Sequence, residues 1–146
     1  MEILVATERD CQILTQLFSV LYKAETKWSE EKIKKNIVQQ RKEYYLGFVD
    51  NQPEAALSLK FNTEDCELEA IVARTKKQGN GSRLLRFAED LVRKRGCSKI
   101  WCYSLECYKV GNFYKKNGWI EEEFIQDFWD EKNSFKYSKQ LNKSNN

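Results

Sequence analysis

The segment best suited to chemistry in this 146-residue chain is a glycine-containing stretch from Lys76 to Ser82. An apolar strand pattern precedes it and an amphipathic helix pattern follows, so its glycines stand where a helix begins. The first N–H groups of a helix lack partners within the helix and lie at the positive end of its dipole. Gly79 and Gly81 let the backbone come close to a ligand, which makes the segment suitable for binding a phosphate. Taken alone, the segment is equally compatible with an ordinary turn before a helix.

Two common phosphate-binding patterns do not fit this segment. The dinucleotide-binding fingerprint requires a third glycine where Leu84 stands. The P-loop requires Gly-Lys-Ser/Thr at its end, whereas Ser82 and Arg83 follow Gly81. An anion bound here would therefore belong to another class of ligand.

The chain contains no histidine, and this excludes several kinds of active site. Ser-His and Cys-His nucleophile pairs are impossible, so proton transfer must use Glu, Asp, Tyr, Lys, Cys or water. Five cysteines without a C-x-x-C pair predict reduced, mostly buried thiols and no metal site. These cysteines are Cys11, Cys66, Cys97, Cys102 and Cys107.

Composition predicts one soluble domain. The net charge is only +3, and lysines alternate with glutamates, which is typical of solvated helix faces and not of a nucleic-acid surface. No apolar run approaches the ~20 residues that cross a bilayer, and no secretory signal is seen, so we expect a cytoplasmic protein without membrane contact. We expect one domain over residues 1–141 and a polar tail over 142–146.

Periodicity predicts the order β-α-α-β-β-β-α-β-α-β-β, with helices on both faces of a mixed sheet. Thr7 to Asp10 matches a capping box before the first helix, and Ser29 is the expected N-cap of the second. The glycine segment starts the third helix, which Gly96 ends, and Tyr114 lies on a short fourth helix. The seven strands are expected over 2–6, 44–49, 55–61, 67–72, 100–105, 119–125 and 135–139.

Two motifs resemble those of a known family. The segment from Lys76 to Gly81 is similar to motif A of the Gcn5-related N-acetyltransferase (GNAT) family, whose pattern is Gln/Arg-x-x-Gly-x-Gly/Ala. The stretch 112–119 resembles the family signature Phe-Tyr-x-Lys-x-Gly-Phe. Lys76 replaces the usual Gln or Arg and loses bidentate geometry. Trp119 replaces the usual Phe, a change expected to affect only packing.

The resemblance implies a GNAT fold: a mixed, mostly antiparallel sheet of six to seven strands flanked by about four helices. It also implies acetyl-CoA as acyl donor. The backbone N–H groups of Gln78, Gly79, Asn80, Gly81 and Ser82 would bind its pyrophosphate, with Lys76 and Lys77 adding positive charge. Backbone groups of Ile71, Val72 and Ala73 would pair with the pantetheine arm and bring N–H donors near the thioester oxygen.

The resemblance further implies direct transfer to an amine. Tyr114 matches the family's general acid, and a phenol with a pKa near ~10 stays protonated at neutral pH; the alternative is an ordinary packed aromatic. Glu67, with Glu69 in reserve, would take the proton of the amine. These two glutamates are two positions apart and point to the same face of a strand; the alternative is that they pair with lysines.

Several readings stay open for the ligand and the partner. The expected acceptor is a primary amine of a small molecule, peptide or protein, and no residue selects among these. The alternative function is a non-catalytic acyl-CoA sensor or interaction module. A third hypothesis, a basic RNA- or protein-binding domain, does not account for the second motif. Phe128 and Trp129 could line the acceptor pocket or simply pack. Homodimers are common in the family, so the resemblance leaves a homodimer open for this chain.

Overall fold

The computed structural model describes residues 1–76 and 78–142, and within these ranges the chain forms seven strands and five α-helices. Lys77 and the tail residues 143–146 lie outside the described residues. Short 3₁₀ helices occupy Glu8–Asp10 and Glu106–Tyr108. The strands are β1 Glu2–Val5, β2 Glu43–Val49, β3 Gln52–Phe61, β4 Asp65–Ala73, β5 Lys99–Leu105, β6 Ile120–Trp129 and β7 Lys132–Gln140. The helices are α1 Cys11–Phe18, α2 Ala24–Lys27, α3 Glu30–Val38, α4 Asn80–Lys94 and α5 Gly111–Lys116.

The strands form one sheet in the order β1-β2-β3-β4-β5-β7-β6. The ladders β1–β2, β2–β3, β5–β7 and β6–β7 are antiparallel. β4 and β5 are parallel, in a register that pairs Asp65 with Lys99 and Glu67 with Trp101. The predicted mixed, mostly antiparallel sheet is therefore confirmed.

The chain folds as two compact units, Met1–Lys60 with Leu68–Phe87 and Phe61–Glu67 with Ala88–Asn146. The core of the first unit lies under α1 and α3, where the ring of Phe18 packs on Trp28 at 4.7 Å and on Tyr44 at 6.4 Å. The expectation of a single acetyltransferase domain over 1–141 stays a prediction.

Local signals in the first unit confirm several predicted helix ends. The backbone N–H of Thr7 donates to Asp10 Oδ2 at 2.8 Å, as the capping-box pattern predicts. Ser29 Oγ accepts from the backbone N–H of Lys32 at 3.3 Å and caps α3. The one-turn helix α2 was not predicted, because four residues cannot nucleate a helix by themselves and α2 depends on the burial of Ala24.

In the second unit, one face of β5 and β7 is buried beside α5. Ile100, Cys102, Tyr114, Trp119 and Tyr137 are all at most 5% exposed. This buried face fixes where α5 and its tyrosine lie relative to β5 and β7.

Gly96 ends α4 with φ +87, the left-handed conformation expected of a C-terminal glycine.

Candidate active site

The glycine segment forms the first turn of α4. Gly79 precedes the helix with φ +79, and a Cβ built on it would meet nothing within 4 Å. Glycine is therefore required there by backbone conformation and not by space. The backbone N–H of Arg83 donates to the carbonyl of Gly79 at 3.0 Å, and Arg83 Nη1 donates to Oδ1 of the buried Asn80 at 3.2 Å.

This turn fits a phosphate. The carbonyls of α4 cannot satisfy the N–H groups of its own first turn, which lie at the positive end of a 15-residue helix. Lys76, Gln78, Gly79 and Arg83 are exposed, so two cations border an accessible backbone. Lys77, also predicted to bind the cofactor, lies outside the described residues.

The predicted pantetheine-binding residues lie at the end of β4. Ile71 and Ala73 are half-buried, whereas Val72 is buried in the core of the first unit. Alternation along the strand puts Ile71 and Ala73 on one face and Val72 on the other. Their side chains hold the strand in place, whereas the predicted contact with the pantetheine arm is made by their backbone groups.

Tyr114 is 5% exposed and enclosed by rings. Its ring is stacked on Tyr137 with centroids 4.9 Å apart, and it contacts Phe113 at 5.1 Å and Trp119 at 5.2 Å. The Tyr114 hydroxyl and the Cys102 thiol are neighbours, and each influences the pKa of the other. Burial, followed by the neighbouring Cys102 and Tyr137, raises the pKa of Tyr114 well above 10. Tyr114 is therefore a neutral phenol at physiological pH and has a proton to donate.

The cysteines are all free thiols, as expected. Burial raises the pKa of Cys102 to about 12, so this side chain is a thiol and not the thiolate that an acyl-cysteine route requires. Four of the five are buried, which agrees with the prediction of mostly buried thiols. Cys107 is exposed because it lies on the 3₁₀ turn after β5, outside the alternation that buries Cys102.

Glu67 lies on β4 beside Trp101, its register partner on β5. Trp101 Nε1 donates to Asp65 Oδ1 at 3.2 Å, which places Asp65 and Trp101 on one face. Because Glu67 is two residues from Asp65, it points to that same face. Glu67 is half-buried, and its charge is among the causes that raise the pKa of Cys102.

Glu69 is held in an ion pair. Its Oε2 lies 3.0 Å from Lys42 Nζ, while its Oε1 is buried without a hydrogen-bond partner among the described residues. The sequence left open that Glu67 and Glu69 pair with lysines. For Glu69 the structure shows such a pair.

Trp119 does more than pack, contrary to the expectation for this departure from the signature. Its Nε1 donates to Glu89 Oε2 at 2.9 Å, and Lys139 Nζ donates to Glu89 Oε1 at 2.8 Å. Glu89 is only 6% exposed. A phenylalanine has no N–H group, so the tryptophan supplies a hydrogen bond to a buried carboxylate that the usual residue could not.

Sequence reasoning also missed Tyr137 and Gly111. A Cβ on Gly111 would lie 2.9 Å from the hydroxyl oxygen of Tyr137, so glycine at the start of α5 makes room for that phenol. The residues are 26 positions apart in the chain, and no local pattern links them.

A family model described as the Acetyltransferase (GNAT) family matches residues 11–119. The chain belongs to the GNAT family. It is thus an acyltransferase, and GNAT enzymes take their acetyl group from acetyl-CoA. No curated protein sequence matches the chain significantly.

Solved GNAT structures share the fold over nearly the whole chain. PaiA N-acetyltransferase from Thermoplasma acidophilum, in complex with coenzyme A, is 22% identical with TM-score 0.77 over 97% of this chain and 100% of that one. The ribosomal-protein-S18-alanine N-acetyltransferase from Escherichia coli is 15% identical with TM-score 0.84, over 98% and 95%. The aminoglycoside 6'-N-acetyltransferase from Enterococcus faecium is 14% identical with TM-score 0.77, over 100% of both chains. At these identities the likeness shows the GNAT fold alone.

Within 1–76 and 78–142, no group of three or more Cys, Asp or Glu side chains could hold a metal ion. Over the same ranges, no helix is both long and apolar enough to span a bilayer.

Proposed function

We propose that this GNAT enzyme transfers an acetyl group from acetyl-CoA directly to a primary amine, with Tyr114 as general acid and Glu67 as the proton acceptor. The observation that carries the proposal is the buried, neutral phenol of Tyr114 on the helix that bears the second family motif. Acetyl-CoA supplies a thioester, an activated acyl group whose thiolate leaves when an amine attacks the carbonyl.

The first role of the chain is to bind the donor. N–H groups from Gln78 to Ser82 and the dipole of α4 would hold the pyrophosphate, assisted by the charges of Lys76 and Lys77. Backbone groups at Ile71, Val72 and Ala73 would pair with the pantetheine arm. Donors fixed near the thioester oxygen stabilise the negative charge that develops there as the amine attacks.

The second role is to move two protons. An alkylammonium has a pKa near ~10.4, so the acceptor must lose a proton before it can attack, and Glu67 takes that proton directly or through water. Glu69, which is held in an ion pair with Lys42, remains in reserve. Tyr114 gives its proton to the sulfur as the C–S bond breaks, and it can do so because a phenol with a pKa near ~10 is protonated at neutral pH.

Five free thiols support a reducing compartment, and we infer that the enzyme works in the cytoplasm. The acceptor is a primary amine of a small molecule, a peptide or a protein.

The test is release of CoA thiol from acetyl-CoA in the presence of a panel of amines. Tyr114→Phe keeps the ring but removes the proton, so we expect kcat to fall by about a hundredfold or more. Thermal stabilisation by CoA should be unchanged in this variant. Tyr108→Phe, which removes a phenol hydroxyl elsewhere in the same unit, is the matched control.

Three results would contradict the proposal. Equal kcat for Tyr114→Phe and Tyr108→Phe would remove Tyr114 from catalysis. Tight CoA binding without turnover of any amine would favour an acyl-CoA sensor. If CoA does not raise the thermal midpoint at all, the glycine segment does not bind it.

A further inference from the structure

Three aromatic rings form a row on β5 and β6, and we call Trp101, Tyr103 and Phe128 the aromatic row. Trp101 and Tyr103 are two residues apart on β5 and share a face. Their ring centroids lie 5.3 Å apart, and Phe128 extends the row at 4.8 Å from Tyr103. Tyr103 is 38% exposed and Phe128 39%, so two of the three rings are accessible to a ligand.

A local irregularity in β6 puts Phe128 in this position. Ile125 pairs with Ser134, but the next pair is Trp129 with Lys132, so β6 carries three residues opposite one on β7. Asp127 adopts φ +50, and its backbone N–H donates to Asn133 Oδ1 at 3.2 Å. Bulges of this kind redirect side chains and are common beside binding sites.

The surroundings of the row favour a cation. Two carboxylates adjoin the row: Asp65 Oδ1 accepts from Trp101 Nε1 at 3.2 Å, and Glu67 is the register partner of Trp101. Lys136 Nζ already lies 4.9 Å from the ring centroid of Trp101. Aromatic faces bind ammonium groups through the ring quadrupole, and the row therefore already binds an internal one.

The strand register gives an approximate separation between the row and Glu67. Trp101 is the register partner of Glu67, and Tyr103 lies two residues farther along β5, or about 7 Å. Phe128 adds a ring spacing of 4.8 Å. An ammonium on Tyr103 or Phe128 would therefore lie about 7–12 Å from an amine that gives its proton to Glu67.

We propose that the aromatic row binds a second ammonium group of the acceptor. The acceptor is then an aliphatic diamine or longer polyamine, with two cationic nitrogens about 7–12 Å apart, and not a monoamine. This inference rests on the proposed acetyl transfer with Glu67 as proton acceptor, and it names the substrate class of that site.

The test compares 1,6-diaminohexane with hexylamine, which has the same chain and one charge fewer. Thiol release gives kcat/KM for each amine, and calorimetry in the presence of CoA gives their affinities without turnover. We expect the wild type to favour the diamine by about five- to twentyfold in both measurements. Tyr103→Leu and Phe128→Leu should each lower that preference severalfold.

Phe124→Leu is the matched control, because Phe124 lies on the same strand, is 43% exposed and packs on Phe135 at 5.0 Å, away from the row. It should leave the preference unchanged. The proposal is overturned if the wild type shows no preference, if both row variants keep it, or if the control loses as much.

Calorimetry separates failure of this inference from failure of the enzymatic proposal. Diamine binding that Tyr103→Leu weakens, without thiol release from any amine, would support the row and contradict acetyl transfer to these amines. Thiol release at equal kcat/KM for both amines would support acetyl transfer and contradict the row.

Discussion

The phenol ring of Tyr114 lies nearly parallel to that of Tyr137, with 4.9 Å between ring centroids and 20° between ring planes. Tyr137 belongs to β7 and is 2% exposed, so the stack joins α5 to the sheet of the second unit. Stacked aromatic pairs contribute about 0.5–1.5 kcal/mol beyond the area that they bury. The position of the Tyr114 hydroxyl is therefore set by a strand as well as by its own helix.

The Tyr137 hydroxyl leaves room only for a glycine at position 111, where this helix begins. In Gly111→Ala the new Cβ would lie 2.9 Å from the Tyr137 hydroxyl oxygen, and we expect the free energy of unfolding to fall by about 1–3 kcal/mol. Removing that oxygen leaves Tyr137 Cζ as the nearest atom, at 3.9 Å. The double variant Gly111→Ala/Tyr137→Phe should therefore recover much of the loss. Urea unfolding measures both, and strictly additive losses would argue against the contact.

Buried tyrosines make stability depend on alkaline pH. Burial is the main cause that raises the pKa of Tyr44, Tyr114 and Tyr137. Above pH ~10 the unfolded chain releases phenol protons that the folded chain retains, so unfolding becomes easier as pH rises. The contribution is fully present below pH ~10 and is lost as pH rises toward the folded pKa values.

We expect this alkaline loss to be smaller in Tyr114→Phe than in the wild type. For a phenol as deeply buried as Tyr114, the difference approaches about 1.4 kcal/mol for each pH unit above 10. Unfolding free energies measured between pH 8 and 11 give the two slopes. Parallel slopes would mean that Tyr114 titrates alike in both states.

The charge at the start of α4 should control CoA affinity. In Gly81→Glu a carboxylate would face the phosphates, whereas Gly81→Gln adds a side chain of similar size without charge. Two charges 4 Å apart interact by about 1–4 kcal/mol between water and a protein surface, so we expect the glutamate variant to bind CoA about tenfold or more weakly than the glutamine variant. Calorimetry measures this, and the gap should shrink in high salt. Equal affinities would place the phosphates elsewhere.

Glu89 should be a strong determinant of stability in the second unit. Glu89→Ala removes the buried partner of Trp119 and Lys139, and we expect a loss of about 3 kcal/mol. Trp119→Phe removes one hydrogen bond and should cost about 1 kcal/mol. Asp90→Ala removes an exposed neighbour that pairs with Arg93, and it should cost under about 0.5 kcal/mol. Chemical denaturation ranks the three, and a Glu89 variant as stable as the Asp90 variant would contradict the assignment.

The sequence carries most of the element order of this fold. Apolar periodicity predicts each of the seven strands. The residue types at Ser29 and Gly96 predict where α3 begins and α4 ends, because helix caps depend only on neighbouring residues. The helix α2 is different, because it exists only through packing that a four-residue window cannot show.

The candidate site likewise has a part that the sequence predicts and a part that it does not. The glycine segment and Tyr114 belong to contiguous motifs, so the family resemblance finds them. The stack on Tyr137, the ion pair of Glu69 with Lys42 and the bond from Trp119 to Glu89 join residues 23 to 30 positions apart. Such pairs depend on how the elements meet, which single-chain periodicity does not specify.

The irregular pairing of β6 also bears on how this protein behaves at high concentration. β6 is an edge strand, and its ladder with β7 is interrupted between Glu121 and Glu123 and again between Ile125 and Trp129. An incoming strand from another molecule needs a long, flat row of free backbone groups to pair with, and the two interruptions leave only a short one. Straightening this edge by deletion within 126–128 would therefore be expected to promote aggregation, which light scattering would detect.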